Sequence, residues 1–152
     1  MKIKYLLLSL VLISIACSSN SDEVIEKNSD IVGLWEMTEF QMDFAQDLNS
    51  DGVSSTNLLD ELECLFVTIQ LNDDFTLTTS GMGLNFQQLT ETTFDINCTV
   101  SSTTEGTWTR TEQGITISPN HVYTYVLKEN KLYYDNENES PYHYKFVYTK
   151  IN

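Results

Sequence analysis

The chain has 152 residues, of which 22 are acidic and 8 are basic, giving a formal net charge of −14. This length predicts a single domain. The acidic surface repels phosphate backbones and anionic headgroups, which argues against nucleic-acid binding and against flat adsorption to anionic lipid. It suits calcium or basic partners, or solubility alone.

Residues 1–16 are predicted to be a secretory signal peptide. Two lysines precede an apolar run at 5–16, and this run is shorter than the about 20 residues that a membrane-spanning helix needs. The stretch SIAC (14–17) resembles a bacterial lipobox, although Ser14 stands where Leu is usual. The resemblance implies cleavage before Cys17 and acylation of its thiol, and hence a lipid-anchored, extracytoplasmic protein. The alternative is an ordinary signal peptide followed by a chance cysteine.

Residues 17–30 are predicted to form a flexible tether, because they are polar and almost free of bulky apolar side chains. Asp22 and Glu23 resemble the acidic export tag of surface lipoproteins in Bacteroidetes-type bacteria, which would place the protein at the outer membrane or cell surface. A solvated linker is the alternative. Loss of the two signal-peptide lysines leaves 6 basic and 22 acidic residues, a net charge of −16.

The cysteines predict one disulfide. Of three in the chain, acylation of Cys17 leaves Cys64 and Cys98 as a pair. An extracytoplasmic compartment permits a bridge between them. It would close a loop of about 35 residues, and chain entropy assigns that loop roughly 4 kcal/mol of stabilisation. Two free buried thiols are the alternative.

From Ile31 onward the sequence predicts short β-strands, because Thr, Val, Ile, Tyr and Phe are frequent and polar turns recur at short intervals. In chain order the predicted strands are 31–42, 63–71, 75–81, 82–89, 93–100, 105–111, 115–119, 121–128, 131–136 and 142–150. The last alternates most clearly, with Tyr144 and Tyr148 on one face. One helical turn is predicted at 56–62.

These elements predict an all-β domain over 31–152. The connections are too short for crossover helices, so neighbouring strands are expected to be antiparallel. About eight such strands suit a small up-and-down barrel or a sandwich. Closure into a barrel would remove the exposed edges.

Gly33-x-Trp35, at the start of the first predicted strand, resembles the opening motif of lipocalin-like barrels. GTW (106–108) and FVYTK (146–150) resemble later parts of the lipocalin-like domains of small Bacteroidetes lipoproteins. The resemblance covers roughly 31–150. It implies an eight-stranded barrel in which the glycine allows a tight approach and the tryptophan plugs the closed end.

This sequence departs from the lipocalin pattern at one cation. Lipocalins often carry an arginine near the last strand that packs over the tryptophan. Here Lys150 stands near the end of the chain, and Arg110 is the only arginine. Either side chain could make a cation–π contact with Trp35.

The stretch DLNSDG (47–52) predicts a calcium loop. Calcium loops place oxygen ligands at positions 1, 3 and 5, glycine at 6 and a backbone carbonyl at 7. Asp47, Asn49, Asp51 and Gly52 fill the first four of these positions.

The rest of the calcium pattern is incomplete. Val53 would supply the carbonyl, but position 12 is Leu58 and not a carboxylate. Asp60 or Glu61 would therefore have to close the site. The alternative is an ordinary polar loop, because Asp, Asn, Ser and Gly are also the residues of turns.

The sequence contains no recognisable catalytic constellation. His121 and His143 lie in strand-like runs without ligands at metal spacing, and no Gly-rich phosphate loop or nucleophile elbow is present. We therefore expect no enzymatic activity.

The expected function is that of a membrane-anchored lipoprotein whose barrel binds a small apolar ligand. The aromatic residues expected near such an interior are Phe66, Phe75, Phe86, Trp108, Tyr125 and Tyr144. The alternative is a protein-interaction or structural module with a barrel filled by its own side chains. Its contact surface would be the acidic loop or the aromatic strands.

Overall fold

The computed structural model of the protein describes residues 28–90, 93–137 and 143–151. Within them, nine strands form one antiparallel sheet. One short helix, α1 (Leu58–Glu61), follows the second strand. In chain order the strands are β1 (Gly33–Gln46), β2 (Ser55–Asn57), β3 (Val67–Leu71), β4 (Thr76–Gln88), β5 (Phe94–Arg110), β6 (Gly114–Ser118), β7 (Tyr123–Lys128), β8 (Lys131–Asp135) and β9 (Tyr144–Ile151). The predicted signal peptide, Cys17 and the tether up to residue 27 lie outside the described residues.

The sheet closes into a barrel. Strands β1 and β3 to β9 follow one another as antiparallel neighbours, and β1 also pairs with β9, from Leu34↔Ile151 to Met42↔Tyr144. The short strand β2 adds to the far end of β1. Eight strands therefore form the barrel, which confirms the predicted all-β, up-and-down architecture with one short helical turn and rules out the sandwich.

Strands β4 and β5 are longer than the sequence predicts. Each joins two of the predicted strands into one, of 13 and 17 residues respectively. A register shift between Met82 and Leu84 lies where the sequence suggests a break. Such a bulge bends a strand without ending it, so the β4–β5 hairpin continues beyond the neighbouring strands.

The strands predicted at 121–128 and 131–136 form a hairpin, β7–β8. Glu129 and Asn130 form a two-residue connection, with φ angles of 53° and 58°. Positive φ at both residues is the mark of a type I′ turn, whose twist matches that of the flanking strands.

The closed end of the barrel is built around Trp35. Its side chain is fully buried, and its indole Nε1 donates a hydrogen bond to the Ile31 carbonyl at 2.7 Å. The Lys150 ammonium lies 5.9 Å from the ring centroid and donates to the Ser29 carbonyl at 2.8 Å. Gly33 has φ +139°, and a Cβ there would lie 2.8 Å from Lys150 Cε. The Gly-x-Trp motif thus leaves room for the lysine to reach the tryptophan.

Lys150 is therefore the cation over the tryptophan. Arg110 lies at the same end but pairs with Asp30, with a 2.7 Å distance between Arg110 Nη1 and Asp30 Oδ1. Asn28 is also buried here, and its carbonyl accepts from the backbone of Ile31 and Val32. The last residues of the predicted tether thus contact the barrel.

Fully buried apolar side chains form a layer that fills this end. We call this layer the floor, and its members are Ile31, Trp35, Leu71, Leu77, Trp108, Ile115 and Leu132. Side chains alternate between the two faces of a strand, so the next inward positions lie one level above the floor, towards the other end.

Candidate functional site

The lumen above the floor contains a cavity of about 340 Å³. The lining residues nearest the floor lie two positions beyond floor residues on the same strands. Met37 comes two residues after Trp35, and Thr79 comes two residues after Leu77. Apolar side chains make most of the wall, namely Met37, Phe40, Leu65, Val67, Ile69, Met82, Leu84, Ile117 and Phe146. A cavity of this volume is within the range of small-molecule sites, about 300–1,000 Å³.

Two tyrosines stand at the deep end of the cavity. Tyr125 pairs with Ile115 of the floor, and Tyr148 pairs with Leu132. Their rings meet edge to face, with 5.7 Å between the centroids. Burial raises the pKa of the Tyr125 phenol well above its usual value, and burial likewise raises the pKa of Tyr148. Both phenols are therefore neutral hydrogen-bonding groups in an apolar wall.

The cavity has no charged wall. Among the described residues that line it there is no Asp, Glu, Lys or Arg. The polar groups besides the two deep phenols are Thr79, Thr104, Asn120, His121 and Tyr123. Such a lining disfavours an ionised ligand, because a buried charge without a partner is costly.

The cavity opens towards the loop between β6 and β7. Pro119, Asn120 and His121 of this loop line the cavity, and the last two are exposed to solvent. We call these three residues the mouth. Met82 and Leu84 of the extended β4–β5 hairpin line the cavity as well.

We call the end of this hairpin, residues 82–88 and 94–101, the hairpin tip. A disulfide, a pair of side-chain hydrogen bonds and a ring stack are among the contacts that hold it. Cys98 forms a disulfide with Cys64, which confirms the predicted bridge. The Gln46 side chain hydrogen-bonds both the N–H and the carbonyl of Phe94. Phe44 stacks on Phe94 with centroids 4.5 Å apart.

The six aromatic residues predicted to surround the ligand occupy three kinds of position. Tyr125 lines the cavity. Trp108 belongs to the floor, and Tyr144 packs on Phe40 and Phe146 in the core. The other three side chains are partly exposed and do not line the cavity: Phe66, Phe75 and Phe86.

Sequence reasoning missed most of the cavity wall. Met37, Ile69, Ile117 and Tyr148 are ordinary strand residues, and strand alternation could have grouped each with its neighbours two positions away. Which of the two faces points inward depends on the register between strands, and strand composition alone leaves that register open.

The acidic loop is organised by its own backbone. Asp47 accepts hydrogen bonds from the N–H groups of Asp51 and Gly52, at 3.2 and 2.9 Å. Asn49 accepts from Asp51 N–H, and Asp51 accepts from Val53 N–H. The side chains at alternate positions are thus the acceptors of successive tight turns.

Glu61 closes this loop. It is buried, and its carboxylate accepts from the backbone N–H of Leu48, Asn49 and Ser55, at 2.9, 3.4 and 2.8 Å. Asp60, the other predicted closing ligand, accepts from the Ser55 hydroxyl. In the part of the chain that the structure describes, no group of three or more His, Cys, Asp or Glu is arranged to hold a metal ion.

The two histidines have different surroundings. His121 is at the mouth of the cavity. His143 bridges two carboxylates on the outer surface, with Nδ1 2.8 Å from Asp43 and Nε2 2.8 Å from Asp135. Lys145 also pairs with Asp135, at 3.1 Å. We call this arrangement the His143 clamp, and it joins β1, β8 and the start of β9.

Comparison with known proteins finds no matching family model, curated protein or solved structure. Among the described residues, no helix has the length and apolar character needed to cross a bilayer. Any functional proposal therefore depends on the cavity and on the sequence.

Proposed function

We propose that this protein is an extracytoplasmic, lipid-anchored lipoprotein of lipocalin-like type that binds a small apolar ligand in the lumen of its barrel. The cavity above the floor is the observation that carries the proposal. A barrel of eight strands either fills with side chains or holds one small ligand, and an apolar cavity of about 340 Å³ supports the second case.

The attachment to a membrane is proposed from the sequence. Acylation of Cys17 would anchor the chain, and the residues up to the barrel would act as the tether. Mass spectrometry of the membrane-extracted protein tests this step: the mature chain should begin at Cys17 and carry the mass of its acyl groups. A chain that begins elsewhere would contradict it.

Ligand binding is tested with a matched pair of variants. Thr104 lines the cavity, whereas its neighbour Thr103 is exposed on the opposite face of β5. Thr104→Phe should fill part of the lumen and weaken the binding of N-phenyl-1-naphthylamine, a neutral fluorescent reporter of apolar sites. Thr103→Phe should leave the binding unchanged.

The same experiment tests the alternative function. The full chain with Cys17→Ser avoids acylation, so the titration needs no detergent that would compete for the cavity. Reporter binding that both variants retain would place the reporter outside the lumen. An absence of binding would favour a protein-interaction or structural module.

Calcium at the acidic loop is a proposal from the sequence alone. Its basis is the alternate oxygen side chains of Asp47, Asn49 and Asp51, with Asp60 or Glu61 to complete the set. Native mass spectrometry before and after EDTA tests it. A calcium-sized increment that EDTA removes would support a structural ion, and a bare chain in millimolar calcium would contradict it.

A further inference from the structure

We propose that the ligand is a neutral molecule with an apolar body and one hydrogen-bond acceptor at its buried end, such as a ketone or an ester, and that the Tyr125–Tyr148 pair donates to this acceptor. The inference rests on the proposed function and names the class of ligand for the same cavity. It follows from the position of the two phenols, from the places of the other polar groups in the wall and from the lack of charge there.

The two phenols of the deep end contribute two O–H donors. Tyr125 and Tyr148 both line the cavity, and their ring centroids lie 5.7 Å apart. A hydrogen bond from one hydroxyl to the other would use one of the two donors and leave the second. At least one O–H donor is therefore available to a ligand acceptor at the deep end of an apolar cavity.

The other polar groups of the wall are already paired or lie farther from the floor. The Thr79 hydroxyl donates to the Thr104 carbonyl at 3.3 Å, so its hydrogen is already used within the protein. Thr104 and Tyr123 line the wall one inward position above the level of the floor. Asn120 and His121 lie at the mouth, among exposed residues. The Tyr125–Tyr148 pair is therefore the donor that the buried end of a ligand meets.

The lumen has no basic side chain to pair with an anion among the described lining residues. A carboxylate ligand would need a cation in the lumen, and the described lining has no Lys or Arg. Lys150 contacts Trp35 from the closed end, and Arg110 pairs with Asp30 there. An unpaired carboxylate in the apolar wall is costly, and the net charge of −14 further repels anions. The cavity thus favours a neutral ligand over an anion of the same shape.

The test uses three probes of similar size: octan-2-one, octane and octanoate. Each displaces N-phenyl-1-naphthylamine from the full chain with Cys17→Ser, at neutral pH. Burial removes hydration from the ketone of octan-2-one but not from octane, so the hydrogen bond is measured as the change in octan-2-one affinity when the protein donor is removed, with octane as the control. Octanoate should be the weakest of the three.

Variants assign the hydroxyl groups. Either phenol alone still supplies one O–H donor, so the double variant Tyr125→Phe and Tyr148→Phe is the decisive one. It should weaken octan-2-one binding about three- to tenfold, as loss of one net hydrogen bond implies, while octane binding is retained. Tyr133→Phe is the matched control, because Tyr133 lies on β8 outside the cavity lining. It should keep the octan-2-one affinity of the unmodified protein.

The outcomes separate this inference from the proposed function. An octan-2-one affinity that the double variant Tyr125→Phe and Tyr148→Phe leaves unchanged, with binding of both probes lost in Thr104→Phe, would leave the lumen as a ligand site and overturn the acceptor. Octanoate as the tightest probe would overturn the neutral class. A reporter whose binding Thr104→Phe does not weaken would overturn lumen binding itself, and the inference with it.

Discussion

The two ends of the barrel are built by different means. The closed end is a layer of interlocked apolar side chains around Trp35, with Lys150 over the ring. The open end surrounds a cavity and is held by discrete links: the Cys64–Cys98 bridge and the contacts of Gln46. Packing alone fills the first end. At the second end, cross-links add to buried side chains such as Phe94 and Ile96, because a cavity removes some of the contacts that packing would supply.

Loss of the disulfide should lower the free energy of unfolding more than the other changes proposed below, and it should act on the open end. The bridge spans 34 residues of sequence, and the double change Cys64→Ser and Cys98→Ser should lower the free energy of unfolding by about 4 kcal/mol. Urea unfolding in the Cys17→Ser background measures this loss. Hydrogen exchange should show faster opening at the hairpin tip and little change around Trp35. A loss below about 1 kcal/mol would mean that Gln46 and Phe44 hold the tip without the bridge.

A leucine pair on one strand compares packing at the two ends. Leu77 is fully buried in the floor, whereas Leu84 is half-buried and lines the cavity. Leu77→Ala should cost about 3–4 kcal/mol, because it opens a new void among close-packed neighbours. Leu84→Ala should cost about 1–2 kcal/mol, since its side chain already faces open space. Equal losses in chemical denaturation would show that the two ends are packed alike.

The sequence predicted the closed end better than the open end. The place of Trp35 at the closed end was predicted from the resemblance of Gly33-x-Trp35 to the opening motif of lipocalin-like barrels. The sequence left two candidates for the cation that contacts Trp35. The three-dimensional structure identifies Lys150 as that cation and pairs Arg110 with Asp30. That choice depends on which carboxylate lies near the arginine, a contact between residues 80 positions apart.

The open end was harder to predict for a related reason. Cavity walls use the same apolar residues as filled cores, so composition does not distinguish them. Phe66, Phe75 and Phe86 are large and aromatic, which suggested an interior, yet their side chains are partly exposed. Strand register decides their direction. The disulfide could be predicted because only two cysteines remained after Cys17 was assigned to lipid.

A substitution of Glu61, at the base of the acidic loop, should lower stability by an intermediate amount. Glu61→Ala removes the acceptor of three backbone N–H groups and should lower stability by about 2 kcal/mol. Glu63→Ala, at an exposed position two residues on, is the matched control and should change stability by less than about 0.5 kcal/mol. Thermal unfolding in EDTA and in millimolar calcium measures both. A loss that appears only with calcium would assign Glu61 to a metal site and not to the loop backbone.

The smallest expected effect is a pH dependence at the His143 clamp. Hydrogen bonds to Asp135 and then Asp43 raise the pKa of His143 above its usual 6.5. The folded state therefore holds this proton more tightly than the unfolded state. The stabilisation is fully present below pH 6.5 and is lost as the pH rises through the raised pKa. Unfolding midpoints across this range should fall in the unmodified protein.

The matched control for the clamp is a histidine outside it. His143→Gln should flatten the fall, whereas His121→Gln should retain it. Lys145 also faces Asp135 and is present in both variants, so it does not distinguish them. His143 contacts Asp43 and Asp135 and lies away from Trp35, so protection from hydrogen exchange should weaken between β1 and β9 near Asp43 and not near Trp35. A uniform loss of protection along β1 would contradict a clamp that acts on one end of the barrel alone.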